Sequence, residues 1–522
     1  MARLINFSAF LSVVLRGLTL ILQSLLIGGT AFQALVFSRA RAHAGSDEVN
    51  RPMYFTMRIA AAGLALAQSA LVGLNCLVLA RTTGMDFREA ITAEFALAGL
   101  ATVLACIVLF VALGKGPRPL ASQAGLVLVI MLSTLATSHA WSRVEHRAAA
   151  AGLTFMHQLA AGLWIGGLPF LLIALHRITG AERLTRLAQG FSRMAMAGVT
   201  ALVIGGAGLC FFYMKSPSDL YQTSYGAMIG SKILLMAAAL GLGGANSLLI
   251  RRLGQDPAHQ FRRLRRFVEV EIGIGLTVLI AAASLSSQVP AVDVVEGRVT
   301  QRDVVERFSP RMPRLSTPAY SELSPVAPVR RPNTPGDIGW SEYNHHWAGV
   351  IVLGMGILAL VSLHEKLTWA RSWPLLMIGL AAFLLLRADP ENWPLGPNGF
   401  WESFLNDEVL QHRLFTLLIL AFAIFEWRVQ NGYNRSAWMP YVFPGICALG
   451  GAALLGHSHA LPSKESTLIE LSHIPIAVCG IYAGCARWLQ LRMDQENSKA
   501  FSWIWKLCFV IIGVALLWYR EG

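Results

Sequence analysis

Long apolar runs broken by short polar stretches repeat along the whole chain. A helix needs about 20 apolar residues to cross the roughly 30 Å hydrocarbon core of a bilayer. Runs of that kind lie at 10–37, 56–80, 91–113, 121–139, 152–175, 191–214, 226–250 and 267–288. A second set lies at 345–363, 372–387, 409–427, 437–456, 468–489 and 502–519, and the run at 372–387 is the shortest. The pattern predicts an all-α polytopic integral membrane protein, with about 14 transmembrane helices in bundles of eight and six. Between the sets lie Pro290, Pro310, Pro313, Pro318, Pro325, Pro328, Pro332 and Pro335, together with many arginines. Proline at that density breaks helices, and the stretch has no apolar face of its own. The chain is therefore expected to divide into a membrane domain at 1–288, an extended linker at 289–344 and a second membrane domain at 345–522. The first apolar run is not followed by a small-residue cleavage site, so it reads as a retained helix.

Composition agrees. Of 522 residues, 55% are hydrophobic and 14% charged, too few charges to coat a soluble protein of this size. The net charge is +13, and the short loops that carry most of the Lys and Arg are the odd-numbered ones. One of these contains Arg251, Arg252, Arg262, Arg263, Arg265 and Arg266. Basic loops stay on the cytoplasmic side, which puts both termini and the linker outside, in the periplasm for a cell inner membrane. The positive excess faces anionic lipid, and no basic domain stands apart to bind nucleic acid. Cys76, Cys106, Cys210, Cys447, Cys479, Cys485 and Cys508 all sit in apolar runs without a CxxC spacing. Neither a disulfide framework nor a thiolate metal clip is expected.

With that orientation, nine of the 13 histidines fall at the outer face: His139, His146, His157, His345, His346, His412, His457, His459 and His473. The second bundle is the denser case. His345 and His346 open its first helix, and His412 lies near the outer start of its third. His457 and His459 close its fourth, in GHSHA, and His473 sits about one turn into its fifth. Neutral imidazole binds copper, zinc and iron. Asp389, Glu391, Glu402 and Glu465 share that face and would concentrate cations. Histidine is also at home at a membrane interface with no ligand role, so the pattern is a candidate centre and not a proof of one. In the first bundle Met156 adjoins His157, a soft pair suited to Cu(I), although methionine is also ordinary packing filler. Arg16 and Lys232 lie inside spans and should pair within the bundle, with Glu94 the candidate partner. Asn246 is expected to make a polar contact at the inner end of its helix.

These residues carry a resemblance. Arg16-Gly17 is followed by Gly28-Gly29, then HQLAAGLWIGGL at His157–Leu168 and Phe191-Ser192. Thr223–Gly226 with Lys232 and Gly244-Ala245-Asn246 complete the series. In order and spacing this resembles the CopD (copper resistance protein D) family over residues 10–288. NHHWAG at Asn344–Gly349, ADPENWPLG at Ala388–Gly396, EVLQHR at Glu408–Arg413, GHSHA at Gly456–Ala460 and LSHIP at Leu471–Pro475 resemble the C-terminal extension of its longer members. The resemblance implies copper, as Cu(I) or Cu(II), taken up across the inner membrane beside a periplasmic copper-binding protein. No such domain is fused here, so that donor would be a separate chain.

Two functions follow. The first is a copper transporter or metal-binding membrane protein, and not an enzyme. No Walker motif or phosphorylation loop is visible, so flow would follow the membrane potential, about 2.3 kcal/mol per charge per 100 mV. The second is a membrane redox protein with haem held between two histidines, His412 and His473 being the pair. The expected partners are the lipid bilayer, the periplasmic donor and further copies of the chain in a homo-oligomer.

Overall fold

The computed structural model of the protein describes residues 2–38, 47–114, 119–251, 257–323, 334–404, 407–433, 436–456 and 463–521. Among these residues the regular structure is entirely helical. Twelve helices are long and apolar enough to cross a membrane. The other two expected spans are helices as well. Leu120–Ala136 is apolar but only 17 residues long, and Asp407–Gln430 has 24 residues but carries Arg413 and Glu426 along its length. The chain forms two compact units, Met1–Glu296 and Gly297–Leu454 with Ser463–Gly522.

The first unit contains α1 (Ala2–Ala31), α2 (Asp47–Thr83), α3 (Glu94–Gly114), α4 (Leu120–Ala136) and α5 (Arg147–Ala161). It continues with α6 (Leu168–Arg177), α7 (Ala181–Tyr213), α8 (Ser224–Arg251) and α9 (Pro257–Leu285). α1 packs on α2, α4, α5, α6 and α9. Between α5 and α6 the chain makes a π-turn at Gly162–Gly166, and α1 packs against that turn too. A Cβ at Gly28 would fall on the backbone of Gly166, and one at Gly166 on the Ser24 carbonyl. Lipid is as apolar as leucine, so close approach of small residues drives helix association here. Large apolar side chains cover the outside, among them Phe211 (83% exposed) and Leu66 (73% exposed). Such side chains suit a hydrocarbon surround.

The second unit contains α10 (Gln301–Phe308), α11 (Pro335–Val361), α12 (Leu376–Arg387), α13 (Asp407–Gln430), α14 (Val442–Gly456), α15 (Lys464–Arg492) and α16 (Gln495–Leu517). α16 packs along both α11 and α15. Gly356 and Gly513 let the α11 and α16 backbones meet. The core is aromatic: Trp373 lies 5.5 Å from Phe443 and 5.8 Å from Trp505, ring centre to ring centre. Trp505 Nε1 donates to Gln490 Oε1 at 2.7 Å, which satisfies its polar edge.

The stretch read as an extended linker carries α10, started by a reciprocal cap between Thr300 and Asp303. It docks on α15, where Lys464 pairs with Asp303 at 2.8 Å and Arg307 donates to Ser472 at 3.4 Å. α11 starts at Pro335, well before the apolar run at 345, because Thr334 and Asp337 form a second capping box. Hydropathy cannot register that polar first turn; its cap and Pro335 at the first helical position can.

Replacing Gly28 by valine should prevent the α1 contact, since overpacking of a tight site costs about 1–3 kcal/mol or more. The expected result is loss of the monodisperse folded species in detergent. Valine at Gly125, where an added Cβ meets nothing within 4 Å, should leave it intact.

Candidate functional site

Polar side chains in the first unit lie at three levels. At the innermost, Glu271 of α9 is 3% exposed and accepts from Trp164 Nε1 and from Asn246 Nδ2, each at 2.6 Å. The π-turn presents Trp164 and α8 supplies Asn246. A carboxyl group at that depth would be very unfavourable without such donors. The Asn246 contact expected from the sequence is present, and its partner Glu271 is the group the sequence reading passed over.

The middle level is His157. Its Nδ1 lies 3.1 Å from the Leu202 carbonyl of α7. A carbonyl only accepts, so in the neutral ring Nδ1 carries the proton and Nε2 keeps its lone pair. His157 and Met156 both pack at Gly205 of α7, and Gln158 accepts from Gln23 of α1 at 3.4 Å. The Lys232 ammonium is within electrostatic reach of His157 and Cys210.

At the third level Arg16 donates through Nη1 to the Ser286 carbonyl at 3.1 Å and to its hydroxyl at 3.3 Å. His139 Nε2 meets the same carbonyl at 2.8 Å. The expected Arg16–Glu94 ion pair is not formed among the described residues: Glu94 is exposed, and the serine at the end of α9 takes its place. Lys232 likewise has no carboxylate ion pair there. From position 271 to 285 the rise along α9 is about 21 Å, most of a hydrocarbon core.

The second unit brings two of the expected histidines together. His345 of α11 and His473 of α15 have ring centres 6.0 Å apart. Two imidazoles bound at about 2.0 Å to one ion would have ring centres about 5–6 Å apart, and this separation falls at the upper end of that range. Each Nδ1 bonds a carbonyl of its own helix, Ser341 at 2.8 Å and Ile469 at 2.7 Å. Tyr519 stacks on His345 at 3.8 Å and donates to Glu521 at 2.6 Å. Burial pushes the Tyr519 phenol above its ordinary pKa, and the Glu521 carboxylate adds to that, so it remains a donor.

The remaining expected ligands are dispersed. His346 Nδ1 accepts from the Arg314 N–H at 2.7 Å and Nε2 meets the Tyr519 carbonyl at 2.9 Å, so both ring nitrogens serve the fold. Adjacent helical residues point about 100° apart, so the HH pair divides. His412 bonds Asp389 at 2.7 Å, beside Arg413. His457 and His459 lie outside the described residues. Among the described residues no three His, Cys, Asp or Glu side chains meet as one metal group. The described residues likewise lend the haem pair His412 and His473 no support. The sequence reading also missed that Cys479 and Cys508, on α15 and α16, bring their thiols into contact. Chain spacing cannot reveal a pair formed across two helices.

Membrane-spanning helices with a half-buried imidazole and a buried carboxyl group in one bundle define a polytopic membrane protein with a polar interior. Residues 185–285 match the family model "Copper resistance protein D", CopD. A curated relative, "Copper transport protein CutJ" of Bacillus subtilis (strain 168), is 28% identical over 161 residues. The aligned part is 30% of this chain and spans 28% of that relative's length. No solved structure matches. These matches support a likeness to the CopD family over the segment they cover.

Two outcomes test this geometry. Trp164→Phe should destabilise the protein by about 1.5–3 kcal/mol, the range for a hydrogen bond to a charged group. In a Glu271→Leu background the same change should have little further effect, read as denaturant midpoints. The second concerns pH. Lys464 and Thr300 hold the Asp303 carboxyl down at about 2, from an ordinary 3.8. Its contribution to α10 docking is therefore complete above pH 3.8 and lost as pH falls through 2. Pepsin cleavage next to α10 should rise over that window, and Asp303→Asn should remove the step.

Proposed function

We propose that the protein moves copper across the cell inner membrane, inward from the periplasmic face. The match at 185–285 is the observation that carries this reading. The matched segment supplies Leu202, which orients His157, together with Lys232, Asn246 and Glu271. His157 offers Nε2 to the ion, with Met156 beside it to favour Cu(I). A ring whose Nδ1 donates to a carbonyl is the usual state of a metal-ligating histidine. The three polar levels of the first unit are the proposed route, from Arg16 and Ser286 past His157 to Glu271. His345 and His473 form a separate capture site in the second unit. Both termini lie in the periplasm, where a separate copper-binding protein delivers the ion. Lys232 lies within electrostatic reach of His157, and a positive charge there would oppose a cation at the ring.

Copper content of the purified protein tests the proposal. His157→Ala should weaken Cu(I) binding about tenfold or more, as losing a ligand does at least as much as losing its support. Lys232→Met should strengthen it. His176→Ala, at an exposed histidine that bonds only its own helix, should change nothing. Unchanged copper binding in His157→Ala and in a His345→Ala/His473→Ala double variant would sink the reading.

A further inference from the structure

The second unit has a cavity of about 340 Å³ that the copper reading does not use. Its wall brings together α10, the start of α15 and the chain after α16. Arg307, Arg311, Lys464 and Arg520 line it, and so do Asp303, Glu306, Glu465 and Glu521. Lys464 offsets Asp303, and Arg302 from outside the wall offsets Glu306, which leaves Arg307, Arg311 and Arg520 against Glu465 and Glu521. Asp303 is held by Lys464 at 2.8 Å. Glu306 pairs with Arg302 at 2.8 Å. Glu521 accepts from Tyr519 at 2.6 Å and from Ser341 at 2.7 Å. Arg520 donates to the carbonyls of Glu306 and Ser309 and feels the carboxylates of Glu342 and Glu306. Glu465 is engaged as well.

Arg307 is the decisive residue. It is 4% exposed. One nitrogen donates to Ser472 at 3.4 Å, and its guanidinium lies over the Tyr519 ring at 5.0 Å. Nε and Nη1 are buried and have no hydrogen-bond partner among the described residues. A buried cation with two unmade N–H bonds is unfavourable unless something supplies the acceptors. Guanidinium presents those donors as a planar fork that fits phosphate oxygens in pairs. Ile338, Leu468 and Ile469 give the same cavity an apolar side.

We propose that this cavity binds a phosphate group carrying an organic substituent, with Arg307 and Arg311 on the phosphate and Ile338, Leu468 and Ile469 on the substituent. The source is either a phospholipid headgroup or a free organic phosphate, and the chemistry is shared. This inference stands apart from the copper reading and does not need it.

Thermal unfolding of the full chain in an uncharged detergent provides the test. The probes are inorganic phosphate, glycerol 3-phosphate and dihexanoyl phosphatidic acid, each titrated separately. The organic phosphates should raise Tm saturably and at lower concentration than inorganic phosphate. Phosphatidic acid acting at least about tenfold below glycerol 3-phosphate assigns the lipid source, and equal potency assigns the free one. Arg307→Gln should abolish the shift. Should that variant not fold, Arg311→Gln, at an exposed position, should raise the half-saturating concentration several-fold. Absence of a saturable shift with all three probes overturns the proposal. So does an Arg311→Gln response equal to wild type together with a preserved response in a folded Arg307→Gln protein.

Discussion

Inside hydrocarbon there is no water to take over an unmade hydrogen bond, and this one condition organises the structure. Glu271, His157 and Arg16 of the first unit each have a partner supplied by another element. Glu271 has donors from α8 and from the π-turn, His157 has a carbonyl from α7, and Arg16 has a serine at the end of α9. The same bonds hold the bundle together, because dispersion and close backbone contact are the other forces available between helices in lipid. The residues of the proposed route are therefore also residues that hold the bundle together.

The helices and their approximate limits were legible in the hydropathy pattern because the bilayer imposes a length on every span. Their polar starts were less so: α11 begins ahead of its apolar run, at a cap. The partners of the buried groups were much harder to read. A search for opposite charges selects Glu94 for Arg16, yet in low dielectric a carbonyl and a hydroxyl serve the guanidinium without a second desolvated ion. Glu271 was visible as a letter inside an apolar run. What made it matter was Trp164, 107 positions away, brought in by the π-turn. The Asn246 contact was anticipated because an amide inside a span needs a partner wherever it falls.

The histidines show the same division between what a list of residues reveals and what geometry decides. Among the described residues, His345, His412 and His473 lie in the first halves of α11, α13 and α15. Among the described residues His345 and His473 approach each other, while helical rotation sends His346 into the backbone around Arg314 and Tyr519. His412 has a carboxylate of its own in Asp389. The matched family segment lies in the other unit, so the family likeness and the paired histidines are separate observations.

The bond from Arg16 to Ser286 joins positions 270 apart in the chain. At translation rates of about 5–20 residues per second, the first helix exists for tens of seconds before its acceptor is made. Over that interval the guanidinium lacks the acceptors that Ser286 later supplies. Biogenesis of this protein therefore calls for shelter: α1 has to be kept near the translocation machinery, or with its arginine in the headgroup layer, until the last helix of its bundle arrives to close the ring.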